Sequence, residues 1–263
     1  MVDSFVEVLL RRLPPSEIAG IYLKGSAQKE WESPVDYVPE LSDVDLHLLF
    51  HDPADIARRL GDTAAALEIH ADLEQAYRAR VPDPLHLPRP QLVLLNRLLQ
   101  DPEYCPSPPG AVQALYGQPH DEPPKPPEEI REVDRRALGA LLLLAQAERL
   151  KALPLRALDR PGPYLLPLLR DLNWQMSPTG PRLLALLGVP WEEAWSLNRT
   201  RIISRLESLG RGEFTADYAA YYLSGWDYFL SGYTDSDPAR AAVAAFARAT
   251  ARAADIAGPP GPS

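Results

Sequence analysis

Proline divides this chain more sharply than any other residue type. Thirteen of its 29 prolines fall between Pro82 and Pro127, ending in the run Glu122-Pro-Pro-Lys-Pro-Pro-Glu-Glu129. Proline fixes φ, has no N–H to donate and disfavours helix in the residue before it, so such a stretch reads as extended segments and linker. The two flanks differ in hydrophobic period. Upstream, short apolar runs at Ile18–Lys24, Asp43–Phe50 and Gln91–Leu95 read as strands, with a helix between them from Ala54 to Arg80. Downstream, Glu128–Leu150, Leu165–Leu172, Pro181–Leu187, Trp191–Leu209 and Thr215–Ser231 carry helical periodicity, with Thr215 a candidate N-cap, and strand alternation is absent. The expected class is α+β: a mixed sheet with flanking helices over residues 1–120, a Pro-rich linker at 121–127, an all-helical domain over 128–257 and a frayed tail at 258–263.

Composition narrows the function. Apolar residues are 46% and charged residues 24% of the 263, the balance of a chain that folds rather than one that stays disordered. The longest apolar run, Ala137–Ala145, is far short of the roughly 20 residues that span a bilayer, and reads as a buried helix. Asp3 stands where a secretory signal would carry basic residues, and Cys105 is the lone cysteine, so a cytoplasmic address is expected and a disulfide or cysteine-built metal cluster is excluded. The net charge of −9, with no concentrated basic stripe, disfavours a phosphate-backbone partner. No nucleic acid or membrane partner is expected.

One constellation carries chemistry. Asp43 and Asp45 lie two apart on an apolar strand, so both carboxylates project from one face. Side by side they repel, and hard oxygen ligands of this kind are commonly reconciled by a divalent cation such as Mg²⁺. Gly25-Ser26 directly follows the preceding strand; with a helix starting behind it, such a turn offers N–H groups and a hydroxyl to phosphate. Together these describe a grip on a Mg-nucleotide.

The wording Gly25-Ser26-Ala27-Gln28-Lys29, then Ser42-Asp43-Val44-Asp45-Leu46, resembles the nucleotidyltransferase superfamily that includes DNA polymerase β and the aminoglycoside adenylyltransferases. The resemblance is specific over residues 18–50 and looser to about 117. It implies that Gly25 and Ser26 hold the triphosphate and that Asp43 and Asp45 are catalytic, binding Mg²⁺ at up to two sites. Lys29 is the candidate phosphate partner, weighed against a solvated lysine. The implied reaction moves a nucleoside monophosphate, AMP from ATP in the first instance or another NTP, onto a hydroxyl of a small acceptor seated between the domains. The acidic net charge suits an aminoglycoside-like cation.

Two departures from the family stand out. Sixteen residues separate Ser26 from Asp43, longer than usual, with the excess in Glu32–Glu40 as a lid or surface hairpin. The family's third carboxylate, a metal ligand and base on the later strand, falls on Gln91, whose amide ligates weakly and takes no proton. Either the base comes from elsewhere, with His47 a candidate on the same strand face, or the chain is a catalytically weakened nucleotide-binding or regulatory protein. In the helical half, the stripe Tyr218, Tyr222, Trp226, Phe229 and Tyr233 reads as core, against an acid-and-aromatic wall for a cationic acceptor. Arg199 and Arg201 read as a solvated helix face, against a phosphate contact. All five histidines precede Asp121, which excludes the Arg-and-His ribonuclease site of the helical toxin domains that accompany small nucleotidyltransferases.

Overall fold

The computed structural model describes residues 2–122, 125–146, 153–154 and 156–258, with backbone alone over 141–146. The class is α+β. Four strands, β1 (Ile18–Lys24), β2 (Val44–Phe50), β3 (Pro90–Leu94) and β4 (Gln113–Gly117), form one sheet in the order β3-β2-β1-β4. β1 is antiparallel to both β2 and β4, and β2 is parallel to β3. The short strand β4 sits inside the Pro-rich stretch, where its five residues carry too little alternation to be read in advance.

The chain divides into two units, and not at a single point. Residues Met1–Gln28 and Asp43–Pro123 form the first; Lys29–Ser42 and Pro124–Ser263 form the second. In the first unit, β2 alternates buried and half-buried residues. Its apolar side chains Val44, Leu46, Leu48 and Phe50, with Ile21 and Leu23 of β1, pack against Phe5, Val8 and Leu9 of α1 (Val2–Arg12) and Ile69, Leu73 and Tyr77 of α3 (Thr63–Arg80). That leaves the other face of the same strands to Lys24, Tyr22, Asp45 and His47. The helix expected over 54–80 is two: α2 (Ala54–Leu60) ends at Gly61, and Asp62 caps α3 by accepting from Ala64 and Ala65 N–H. A short α4 (Leu95–Leu98) follows β3, and its Asn96 side chain bonds both Phe50 N–H (2.9 Å) and Phe50 C=O (3.0 Å), pinning the end of β2.

The second unit is helical: α5 (Pro127–Gln146), α6 (Leu165–Leu186), α7 (Trp191–Ser196), α8 (Arg199–Ser208), α9 (Gly212–Leu230) and α10 (Ser236–Ala257). Residues 147–150 of the expected first helix, two linker residues and the tail beyond Gly258 lie outside the described residues. The two short helices expected at 165–172 and 181–187 are one, running through Pro178 and Pro181, because tertiary packing outweighs the local penalty of proline. Trp191–Leu209 is two, broken at Asn198, whose side chain accepts from Arg201 N–H as the N-cap of α8. Thr215 is no cap: α9 begins at Gly212, and Thr215 is buried within it.

Segment 29–42 is neither lid nor surface hairpin. Val35, Val38 and Leu41 are buried in the core of the helical unit. Asp36 is 2% exposed, and its carboxylate accepts from Glu32 N–H (2.8 Å), Ser33 N–H (3.0 Å), Thr200 N–H (2.8 Å) and the Thr200 hydroxyl (2.8 Å). A carboxylate at the start of α8 also meets the positive end of the helix dipole. Arg199, expected on a solvated face, is buried: it donates to Val35 C=O (3.0 Å) and Asp36 C=O (2.8 Å) and lies over the Tyr222 ring. Of the expected stripe, Tyr218 and Tyr222 are core, Trp226 and Tyr233 pack partly buried against it and Phe229 is half-buried; Tyr221 and Tyr228, off the stripe, are core as well. Asp217 pairs with Arg248 and Arg252.

Candidate functional site

The polar face of the sheet is laid out by register. Lys24 of β1 stands opposite Asp45 of β2, and Asp45 stands beside Gln91 of β3; one step further in, Tyr22 faces His47, which is paired with Val93. Residues paired across strands share a face, so Lys24, Asp45 and Gln91 form one row. Gln91 therefore stands next to Asp45 in the sheet and brings an amide there.

Gly25 closes the end of β1 at φ +73°, a conformation that favours glycine. A Cβ built there would lie 1.9 Å from Asp45 Oδ2. The Gly-Ser turn and the second aspartate are thus in van der Waals contact, which only a residue without a side chain permits. The turn itself is short: Gln28 N–H bonds Gly25 C=O at 3.3 Å, and no helix starts behind it. The backbone offer to a phosphate is that of a single turn, without a helix dipole.

Asp43 directly precedes β2, one residue short of the expected strand start, and Asp45 lies within it; both are half-buried. Asp43 is ion-paired with Arg89, the residue before β3, whose C=O also accepts Val44 N–H at 2.9 Å. Two carboxylates with the Gln91 carbonyl beside them are a donor set of the hard-oxygen kind that suits Mg²⁺, and Arg89 is the cation that balances Asp43 in this structure. Among the described residues no group of three or more His, Cys, Asp or Glu side chains is placed to hold a metal ion.

Lys29 belongs to the helical unit, where its ammonium donates to Trp195 C=O (2.8 Å) and Leu197 C=O (2.6 Å) at the end of α7. Burial, with Arg199 nearby, lowers its pKa to about 8. His47 shares the site face, and its Nδ1 is buried without a partner. Burial and then the charge of Lys24 lower its pKa to about 3, so it stays neutral and is a weak base.

A buried cluster unanticipated from the sequence lies against Lys24. The Lys24 ammonium, 4% exposed as a residue, is ion-paired with Glu122 and donates to the Tyr104 hydroxyl at 3.2 Å. Glu122, whose side chain is 1% exposed, further accepts from the Tyr104 hydroxyl (2.8 Å) and Ser107 N–H (3.0 Å), and bonds His120 Nε2 (2.7 Å). The His120 ring meets Tyr22 edge-on at 5.3 Å. Burial lowers the Lys24 pKa, opposed by the charge of Glu122; the Glu122 pKa, which burial raises, ends lowered because Lys24 and the other donors outweigh that cost. The readable signal was Lys24 itself: a lysine in phase with Asp45 at the end of an apolar strand needs a carboxylate partner.

No helix among the described residues is long and apolar enough to cross a membrane. No family model, no curated protein and no solved structure matches the chain.

Proposed function

We infer that the polar sheet face is the nucleotide site of a Mg-dependent nucleotidyltransferase that moves AMP from ATP, or the monophosphate of another NTP, to a hydroxyl of a small, aminoglycoside-like acceptor. The observation that carries this reading is the contact of the Gly25 turn with the Asp45 carboxylate, which brings the two motifs together at the end of β1. Asp43 and Asp45, with the Gln91 carbonyl, would hold Mg²⁺, which when bound supplies charge neutralisation to a triphosphate. The residues themselves do the positioning. Gly25 allows the close approach, Asp45 lies between Lys24 and Gln91 in the row, and Asp43 would exchange its partner Arg89 for the incoming cation.

A second reading, a slow or regulatory nucleotide-binding protein on the same scaffold, is favoured by the pairing of Gln91 with Asp45, since an amide cannot act as the base. Pyrophosphate release from ATP across a panel of hydroxyl acceptors, with wild type and Gln91→Glu, separates the two. Wild-type turnover supports the enzyme with a base outside β3. Turnover that emerges only in Gln91→Glu supports the weakened site.

A further inference from the structure

The Lys24 cluster is more than the anchor of a strand end. Lys24 has three N–H donors; two go to Glu122 and Tyr104, and the third has no partner among the described residues. The ammonium stands in the row with Asp45 and directly precedes the Gly25 turn. Glu122 is held through Oε2 by the Tyr104 hydroxyl and Ser107 N–H and through Oε1 by Lys24 and His120 Nε2, so it is fixed from several sides. Replacing a buried ion pair by neutral groups of similar size is commonly neutral or stabilising, so packing alone does not require this pair.

We propose that Lys24 is the side chain that binds the nucleotide's phosphates in this site, and that Glu122 is the positioning residue that holds the Lys24 ammonium in the row beside Asp45. The proposal rests on the nucleotide-site reading above and assigns to Lys24 the phosphate contact expected of Lys29, whose ammonium is committed to two carbonyls of the helical unit. The ligand chemistry is a polyphosphate: the third N–H offers one charge-assisted hydrogen bond to a phosphate oxygen. Glu122 opposes that interaction as well as orienting it, because its negative charge offsets that of the ammonium. Lys24 and Glu122 therefore act on affinity in opposite directions, which an anchoring pair would not.

The test is calorimetric titration of MgATP, Mg-pyrophosphate and AMP into wild type, Glu122→Gln and the double variant Lys24→Met/Glu122→Gln. The double variant avoids leaving a buried carboxylate without its cation, and its thermal unfolding reports that it folds. The expected result is a loss of about tenfold or more for MgATP and Mg-pyrophosphate in the double variant, with AMP little affected. Glu122→Gln alone is expected to bind MgATP as well as wild type or more tightly. Equal MgATP affinity of the folded double variant and wild type overturns the role of Lys24 and leaves the nucleotide site standing. A loss in Glu122→Gln as large as in the double variant overturns it too, since the pair would then act as one anchor. Wild type that binds neither MgATP nor Mg-pyrophosphate overturns both this proposal and the reading beneath it.

Discussion

The Cα of Gly25 lies so close to the Asp45 carboxylate that a side chain at position 25 would begin 1.9 Å from Asp45 Oδ2. Two motifs separated by a long excursion through the helical unit are thereby brought into contact at one end of a β1–β2 pair. Gly25→Ala introduces both a positive-φ strain and that collision, and is expected to cost about 2 kcal/mol. Chemical denaturation of wild type and variant measures it; an unchanged midpoint contradicts the contact.

Arg89 and Asp43 form an ion pair at the head of β2 and β3. Removing the guanidinium takes from Asp43 the cation paired with it, so Arg89→Gln is expected to bind Mg²⁺ about tenfold more tightly than wild type, a gain of about 1.4 kcal/mol. Titration with the metal alone, followed by calorimetry, checks this. Equal affinities would show that Arg89 does not compete with a cation.

Asp36 collects four donors where segment 29–42 joins the helical unit. Asp36→Ala leaves buried N–H groups unpaired, each costing about 1–3 kcal/mol, so a loss of about 3 kcal/mol or more is expected. A surface hairpin would tolerate the change within about 0.5 kcal/mol, and urea unfolding distinguishes these outcomes.

Asp134 is buried beside Arg182 at 3.3 Å, and burial raises its pKa to about 6 from an ordinary 3.8. Between these values the folded chain binds more protons than the unfolded one, so this group's contribution to stability grows as pH falls from about 6 to about 3.8 and is lost as pH rises through about 6. Stability of wild type minus that of Asp134→Asn, measured from pH 4 to 7, is expected to fall with rising pH across that window. A difference independent of pH contradicts the shift.

The parity of Val44–Phe50 was legible because it rests on the two-residue period of a strand, a local property, whereas the pairing of Gln91 with Asp45 depends on the register between β2 and β3, which no local pattern gives. The burial of Tyr218 and Tyr222 was legible locally too, from the helical period of α9. Segment 29–42 was not: nothing within it says which unit receives Val35, Val38 and Leu41, and the burial of Arg199 depends on carbonyls more than 160 residues away. The Lys24–Glu122 pair was hidden likewise, since Glu122 sits in a proline run that reads as linker and meets Lys24 only through the tertiary fold. Lys29 follows Gly25-Ser26 closely in sequence, but its ammonium is held by carbonyls of the unit that the chain enters at that residue, partners that no local pattern announces.

The most direct test of the central claim is calorimetric binding of ATP, with and without Mg²⁺, to wild type and Asp45→Asn. Mg-dependent binding is expected in wild type and is lost in Asp45→Asn while the variant remains folded. Absence of binding for ATP and for the other NTPs under the same conditions would contradict it, and the Gly-Ser turn and aspartate pair would then be features of the sheet without a nucleotide to hold.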